Sequence, residues 1–256
     1  MLVVVILAAL QGPGAPGPAP TRRYHLEVTT SDEIDQSVIG KPKLSDGLVT
    51  SAYISVSISD TAGGKIVRVL VDSMSLQPSG ALVEQLQQSR PTAAADALGA
   101  SVRAMLVNGR IAGAPQISDS NPALGPIVQA IGVLFPGIRA GAKVGDQWAD
   151  TNHINNNSGS RHQTGQVVAS WKVTGTEGGA LVLAGNSTTH TTTDNGNGQI
   201  LEVQGTSIET VVIPPSGGPV VRARIDTDNT LSWSAPQLSS AIPGKNAGSL
   251  TLTPLP

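Results

Sequence analysis

The chain has 256 residues, of which 39% are hydrophobic, 2% are aromatic and 13% are charged. This length accommodates one large β-rich domain or two small ones, and the net charge of −2 predicts no basic surface that would attract nucleic acid. The chain contains no cysteine, which excludes disulfides, thiolate metal sites, cysteine nucleophiles and the acylated cysteine of a bacterial lipoprotein.

The first twenty residues resemble an export signal followed by a linker. Residues 2–10 form an apolar run that is shorter than the roughly 20 residues required for a membrane span. Residues 12–20 contain only Gly, Pro and Ala, although no positively charged region precedes the apolar run. A hydrophobic first strand is the alternative interpretation. We predict that residues 1–20 direct export to the periplasm or the exterior, without a lipid anchor or a membrane span.

Alternating apolar and polar side chains predict a series of strands after the linker. The pattern indicates strands at 24–29, 52–59 and 67–71, with a loop over 31–48. The glycine-containing segment Asp60–Gly64 predicts a turn that joins the second and third of these strands as a hairpin.

Helical periodicity appears twice in the middle of the chain. Residues 79–98 form the first predicted helix, and Asn108-Gly109 then predicts a tight hairpin turn. The second predicted helix begins at Asn121, a favourable N-cap, and ends at Pro136-Gly137. Its apolar side chains recur at intervals of three and four residues, which predicts that one face packs against a core.

From Trp148 onward the period returns to two. The predicted strands cover 147–155, 161–174, 179–193, 199–213, 219–227, 230–235 and 248–253. The turns between them, including Asp226–Asn229, are rich in Gly, Asn and Asp, which indicates an antiparallel meander. We therefore predict that residues 21–256 form a single β-rich domain of the α+β class. In it, a large curved antiparallel β-sheet, a half-barrel-like meander, packs two helical segments on its concave face.

Three kinds of catalytic or metal site can be compared with the sequence. His153, His162 and Asp150 would converge across a hairpin as zinc ligands, but no spacing signature supports such a site. The segment Asp194–Gly198 has glycine at two positions where a calcium loop needs side-chain oxygens, so a turn explains it better. A hydrolase would require a histidine beside a Ser or Asp in a cleft, and no Gly-x-Ser-x-Gly elbow is present. We predict a non-enzymatic protein without a metal or cofactor.

Large apolar side chains cluster around the junction of the second helix with the meander. Core packing explains them, and the functional alternative is a groove that accepts an apolar ligand. On that alternative the predicted ligand-binding residues are Ile131, Phe135, Trp148 and Trp171.

The same junction carries a motif. It combines a Phe-Pro pair, a basic spacer, a Val-Gly-Asp turn and a tryptophan: Phe135, Pro136, Arg139, Lys143, Val144, Gly145, Asp146 and Trp148. This joint resembles an F-P…K-V-G-D-x-W signature of uncharacterised exported bacterial proteins. The order of strands and helices also resembles periplasmic lipoprotein carriers of the LolA/LppX type. That resemblance implies a curved sheet that wraps around helices and holds lipid in the cavity.

The favoured hypothesis is an exported protein that binds a lipid or another apolar small molecule between sheet and helices. The alternative is a structural or adhesive cell-envelope module that acts through polar strand faces or exposed sheet edges. The ligand-binding hypothesis predicts an open space between sheet and helices, whereas the envelope-module hypothesis predicts a filled one.

Overall fold

The structure, a computed structural model, describes residues 21–89, 92–118, 121–139 and 141–256. The predicted export segment at 1–20 lies outside the described residues. Eleven strands are found in this part of the chain: β1 Thr21–Ile34, β2 Leu44–Thr61, β3 Gly64–Gly80, β4 Ser101–Val107, β5 Arg110–Ile117, β6 Gln147–Ser158, β7 Arg161–Glu177, β8 Ala180–Asp194, β9 Ile200–Ile213, β10 Arg222–Ser234 and β11 Ile242–Pro254. The helices are α1 Leu82–Ser89, α2 Ala93–Asp96 and α3 Gly125–Leu134, with 3-10 turns at Gln36–Ile39 and Pro122–Leu124.

All eleven strands belong to one antiparallel sheet, which confirms the predicted fold class. The strand order is β5-β4-β3-β2-β1-β11-β10-β9-β8-β7-β6. The first and last strands pair at its centre, with Leu26 opposite Leu252. Two meanders run outward from this central pair, so β5 and β6 are the edge strands. The segment that contains α3 connects these two edges.

The sheet is curved, because its two edge strands approach each other. Arg110 Nη1 in β5 donates a hydrogen bond to Asp150 Oδ2 in β6. Arg110 also forms an isolated bridge with Pro136, two residues beyond the end of α3. Edge strands that lie ten positions apart in the strand order can meet only if the sheet curls around the helix between them.

One face of the sheet and the apolar face of α3 form the core. Leu124, Ile127, Ile131 and Leu134 are fully buried at helical spacing. The facing strand residues are mostly β-branched or Leu, in agreement with the predicted alternation: Leu26, Val28, Ile54, Val56, Val67, Val69, Leu183, Val211 and Leu252. None of the helices in the described ranges combines the length and apolar character needed to traverse a bilayer.

Three local predictions were wrong. The predicted helix at 79–98 is shorter than expected, because β3 continues to Gly80 through its pairing with β2. The described residues of this range form two short helices, α1 and α2, and Thr92 is not helical. The predicted loop at 31–48 is mostly strand, since β1 extends to Ile34 and β2 begins at Leu44. The predicted turn Asp226–Asn229 lies inside β10, which pairs continuously with β9 and β11.

The predicted hairpin turns between β4 and β5 and between β2 and β3 are confirmed. In the first turn, Asn108 and Gly109 have φ angles of 52° and 78°. Positive φ at both central residues is the type I′ geometry, for which Asn-Gly is the preferred pair.

Candidate functional site

Backbone and hydroxyl contacts fix the C-terminal end of α3 against the sheet. The Leu134 carbonyl accepts a hydrogen bond from the Val220 amide at 3.0 Å. The hydroxyl of Tyr24, on the inner face of β1, donates to the Val220 carbonyl at 2.6 Å. Burial raises the pKa of the Tyr24 phenol, which favours the protonated form that donates this bond. The loop between β9 and β10 thus closes one end of the space between α3 and the sheet.

Two adjoining cavities remain between α3 and the rest of the inner face. The central cavity has a volume of about 300 Å³ and the lateral cavity about 230 Å³. Val133 of α3 and Ile225 of β10 line both, so we treat the two cavities as one groove. The central cavity is lined by Val28, Thr29, Thr30, Gln129, Val133, Ile225, Thr227, Asn229, Asn246, Gly248, Ser249 and Leu250. The lateral cavity is lined by Gly132, Val133, Pro136, Asp150, Asn152, Val167, Ala169, Trp171, Glu209, Val211 and Ile225.

The lateral cavity combines an apolar wall, which includes Trp171, with the carboxyls of Asp150 and Glu209. Trp171 lies opposite Gly185 of β8, and its indole covers that glycine. A methyl group at Gly185 would lie only 2.7 Å from Cε3 and Cζ3 of the indole. The indole therefore lies close to the sheet surface, which leaves the space above it open to α3.

Glu209 is a carboxyl group on the inner face of β9. Ser207 Oγ donates to Glu209 Oε1 at 3.1 Å, and the hydroxyls of Ser207 and Ser187 are 2.6 Å apart. Burial raises the pKa of the Glu209 carboxyl, and the hydrogen bonds from the two serines oppose part of that effect. The lateral cavity thus contains a carboxyl that takes up a proton more readily than an exposed glutamate.

Uncharged polar side chains dominate one end of the central cavity. Asn229 Nδ2 donates to Asn246 Oδ1 at 3.0 Å, and Asn246 Nδ2 donates to Asp32 Oδ1 at 2.8 Å. The hydroxyl of Thr227 is 3.3 Å from the Gly248 carbonyl. This chain of side chains spans β10, β11 and β1 across the floor of the groove. The groove is therefore amphipathic along its length.

The ion pair between the edge strands lies at the outer rim of the lateral cavity. Asp150 lines that cavity, and its carboxylate accepts a hydrogen bond from Arg110. Both side chains are about half exposed, so solvent screens the pair. The pair bridges the gap between β5 and β6 at the point where the groove meets the surface.

A comparison of folds finds a structural relative. The chain is similar to lipovitellin, in a structure that describes lipid–protein interactions in that protein, with a TM-score of 0.53 and 13% identity. The match covers 93% of this chain and 25% of the lipovitellin chain, so this chain spans about a quarter of its length. At this identity the likeness concerns the fold alone. No protein-family model and no curated protein matches the chain.

The four residues predicted to bind a ligand lie close to one another around the end of α3. Trp171 lines the lateral cavity and is 9% exposed. Ile131 and Phe135 are 0% and 3% exposed and belong to the core, whereas their neighbours Gly132, Val133 and Pro136 line the groove. Trp148 pairs with Trp171 across β6 and β7 and packs on the core while partly exposed.

The apolar periodicity of the sequence does not reveal the polar lining of the groove. Glu209 lies two residues before the buried Val211, so the alternation of β9 already places it on the inner face. The inward position of Asn229 was not predicted, because this residue lies in the segment that the sequence predicts to be a turn. Asn246 is the second inner-face residue of β11 after Leu250, with Gly248 between them. Apolar residues no longer alternate with polar ones at this position, so the sequence pattern does not place Asn246 in a strand.

The residues of the Phe-Pro to Trp joint form a turn that leads into β6. The Lys143 amide donates to Asp146 Oδ2 at 2.9 Å, and Gly145 has a φ of 95°. The Gly145 amide donates to the Val173 carbonyl, and the Val173 amide donates to the Asp146 carbonyl. The joint therefore extends the pairing with β7 and sets the start of the edge strand beside the groove.

His153, His162 and His190 lie at exposed strand positions, and His25 is half-buried. His162 Nδ1 is 2.6 Å from Asn157 Oδ1, and His25 Nε2 is 2.8 Å from Ser51 Oγ on the convex face, away from both cavities. His153 is four register positions from His162 along the β6–β7 ladder. Among the described residues, no group of three His, Asp or Glu side chains has metal-binding geometry.

Proposed function

We propose that this protein is a non-enzymatic carrier that binds a lipid or another apolar small molecule in the groove between α3 and the sheet. The observation that carries the proposal is the pair of adjoining cavities beneath α3, joined at Val133 and Ile225. Their volumes approach or reach the lower end of the range of small-molecule pockets, about 300–1,000 Å³. The apolar lining that includes Val167, Trp171 and Val211 would give an acyl chain or ring its binding energy.

The likeness to lipovitellin supports this proposal, because this chain shares its fold with part of a protein whose structure describes lipid–protein interactions. The motif resemblance to exported bacterial proteins remains a prediction, as does export through residues 1–20. Export is tested by expressing the full chain in a bacterial host and sequencing the N-terminus of the processed product. A cytoplasmic product that retains Met1 would contradict it.

Ligand binding is tested with the full-length protein and N-phenylnaphthylamine, an uncharged probe whose fluorescence rises in apolar surroundings. We expect saturable uptake by the wild-type protein. Val133→Trp places an indole at the junction of the two cavities and should abolish uptake. Ile208→Trp adds the same side chain at a 66% exposed position of β9 and should leave uptake unchanged.

A second variant keeps the test informative if Val133→Trp does not fold. Gly132 lies on α3 and lines the lateral cavity, and a Cβ at this position would have no atom within 4 Å. Gly132→Leu should therefore fill the cavity while it raises helix propensity by up to about 1 kcal/mol. Absence of saturable uptake by the wild type, or uptake that persists in both groove variants, would overturn the proposal.

The alternative of an adhesive or structural envelope module has one observation in its favour. The outer edge of β6 is exposed along a segment that includes Asn155, Asn156 and Asn157, and an unpaired edge can accept a strand from another chain. Concentration-dependent assembly measured by ultracentrifugation, together with a wild-type protein that takes up no probe, would favour this function over the carrier.

A further inference from the structure

The charges around the groove are unusual for a site that would hold an anionic lipid. None of the described residues that line either cavity is Lys or Arg, whereas Asp150 and Glu209 both line the lateral cavity. Arg110, which contacts the rim of the lateral cavity, already donates to the Asp150 carboxylate. An anionic headgroup in the groove would therefore lose its hydration without gaining a cationic partner, which is costly in a site of low polarity.

The inner carboxyl of Glu209 also disfavours a neighbouring negative charge. Burial raises the pKa of this group, and Ser207 donates to its Oε1 atom. Its own tendency toward the neutral form reduces its value as a partner for a cation. Asp150 is neutralised by Arg110, so neither carboxyl favours a positively charged ligand strongly.

The side chains that line the polar end of the central cavity carry hydroxyl and amide groups, and the Asp32 carboxylate behind them accepts a hydrogen bond from Asn246. Thr30 and Thr227 each have a hydroxyl on the inner face of the sheet, and Gln129 of α3 lines the same cavity. Asn246 has its Oδ1 and Nδ2 atoms engaged by Asn229 and Asp32, which fixes the orientation of the amide. Fixed uncharged donors and acceptors of this kind match the hydroxyls of an uncharged headgroup.

We infer that the groove selects uncharged amphiphiles with a hydroxyl-bearing headgroup, such as a monoacylglycerol, and discriminates against fatty acids and other anionic lipids. The headgroup lies at Thr227 and Asn229 in the central cavity, and the apolar chain lies along Trp171 in the lateral cavity. The inference rests on the proposed function, since it names the ligand class of the same groove.

The test uses the full-length protein at neutral pH and three amphiphiles with the same acyl or alkyl chain. Monodecanoylglycerol, decanoate and decyltrimethylammonium, each below its micelle concentration, compete with N-phenylnaphthylamine. We expect monodecanoylglycerol to displace the probe at least about tenfold more effectively than either ion. Equal or stronger displacement by decanoate or by the cation would overturn the inference, although probe uptake would still support the carrier function.

A pair of threonine variants tests where the headgroup lies. Thr227→Val removes a hydroxyl from the groove at nearly constant shape and should weaken monodecanoylglycerol binding about two- to tenfold, the value of one neutral hydrogen bond. Thr206→Val makes the same change on the exposed outer face of β9 and should have no effect. Probe binding itself should survive both changes. Equal affinities for the two variants would overturn the placement of the headgroup, whereas failure of the probe to bind the wild type would reject the carrier function.

Discussion

The indole of Trp171 lies over Gly185 on the neighbouring strand, at a distance that leaves no room for a side chain. Gly185→Ala should therefore force the indole upward into the lateral cavity. Overpacking of this kind typically costs about 1–3 kcal/mol. We expect a loss of that size in the free energy of unfolding by urea, together with weaker probe uptake. The control is Gly175→Ala in β7, where a methyl group would meet no atom within 4 Å. Equal stabilities of the two variants would show that the indole does not occupy this position.

The turn between β4 and β5 should be sensitive to backbone geometry alone. Gly109 has a φ of 78°, and a methyl group there would contact nothing within 4 Å. Gly109→Ala should cost about 1–2 kcal/mol, because an L-residue is strained at positive φ. Gly63→Ala, in the turn between β2 and β3, has neither a positive φ nor a close neighbour and should be nearly neutral. Thermal unfolding of both variants checks the difference.

The buried face of α3 should dominate the stability of the helix on the sheet. Ile131 is fully buried, so Ile131→Ala should lower the free energy of unfolding by about 2–5 kcal/mol. Gln129→Ala, two residues away on the exposed side, should change it by less than about 0.5 kcal/mol. A small effect of Ile131→Ala would mean that α3 does not pack on the core as the structure places it.

Glu209 should give the protein a specific dependence of stability on pH. Its pKa is raised in the folded state above the usual 4.5, so the folded state binds more protons than the unfolded state just above that pH. Stability from this group is therefore fully present below about 4.5 and falls as pH rises through the folded pKa. Glu209→Gln should remove that loss.

The comparison isolates Glu209 from other carboxyls. Asp226 and Glu177 have lowered pKa values because Arg224 and Arg222 donate to them, and their contributions disappear as pH falls. Those contributions are common to the wild type and to Glu209→Gln, so they cancel in the difference between the two melting temperatures. A difference that stays constant from acidic to neutral pH would contradict the raised pKa.

The alternation of apolar and polar residues was sufficient to predict the strands whose inner face is apolar. The alternation at 52–58 and 67–71 placed residues such as Ile54 and Val69 in the core, because burial of one pleated face leaves a clear period of two. The prediction failed where the inner face is polar. Thr227 and Asn229 point inward between Asp226 and Asp228, so β10 has no apolar alternation there and its pairing with β9 and β11 decides the structure.

The groove was predictable in part. Helical spacing from Leu124 to Leu134 and the inward position of Trp171 indicated an apolar surface between helix and sheet. The contacts that define its polar end depend on partners far apart in the chain, since Asn246 donates to Asp32 from the opposite end of the sequence. Such a contact follows from strand order, which local periodicity does not specify.

The pairing of β1 with β11 has a consequence for how the protein folds. Loop closure over nearly the whole described chain carries a large entropic cost, and folds dominated by such distant pairings assemble slowly. Each meander can form from neighbouring hairpins, but the seam between them closes only after the final strand has left the ribosome. Until then Leu26 and Val28 lie on a strand that lacks its second neighbour, and a chaperone that covers this edge would suppress aggregation.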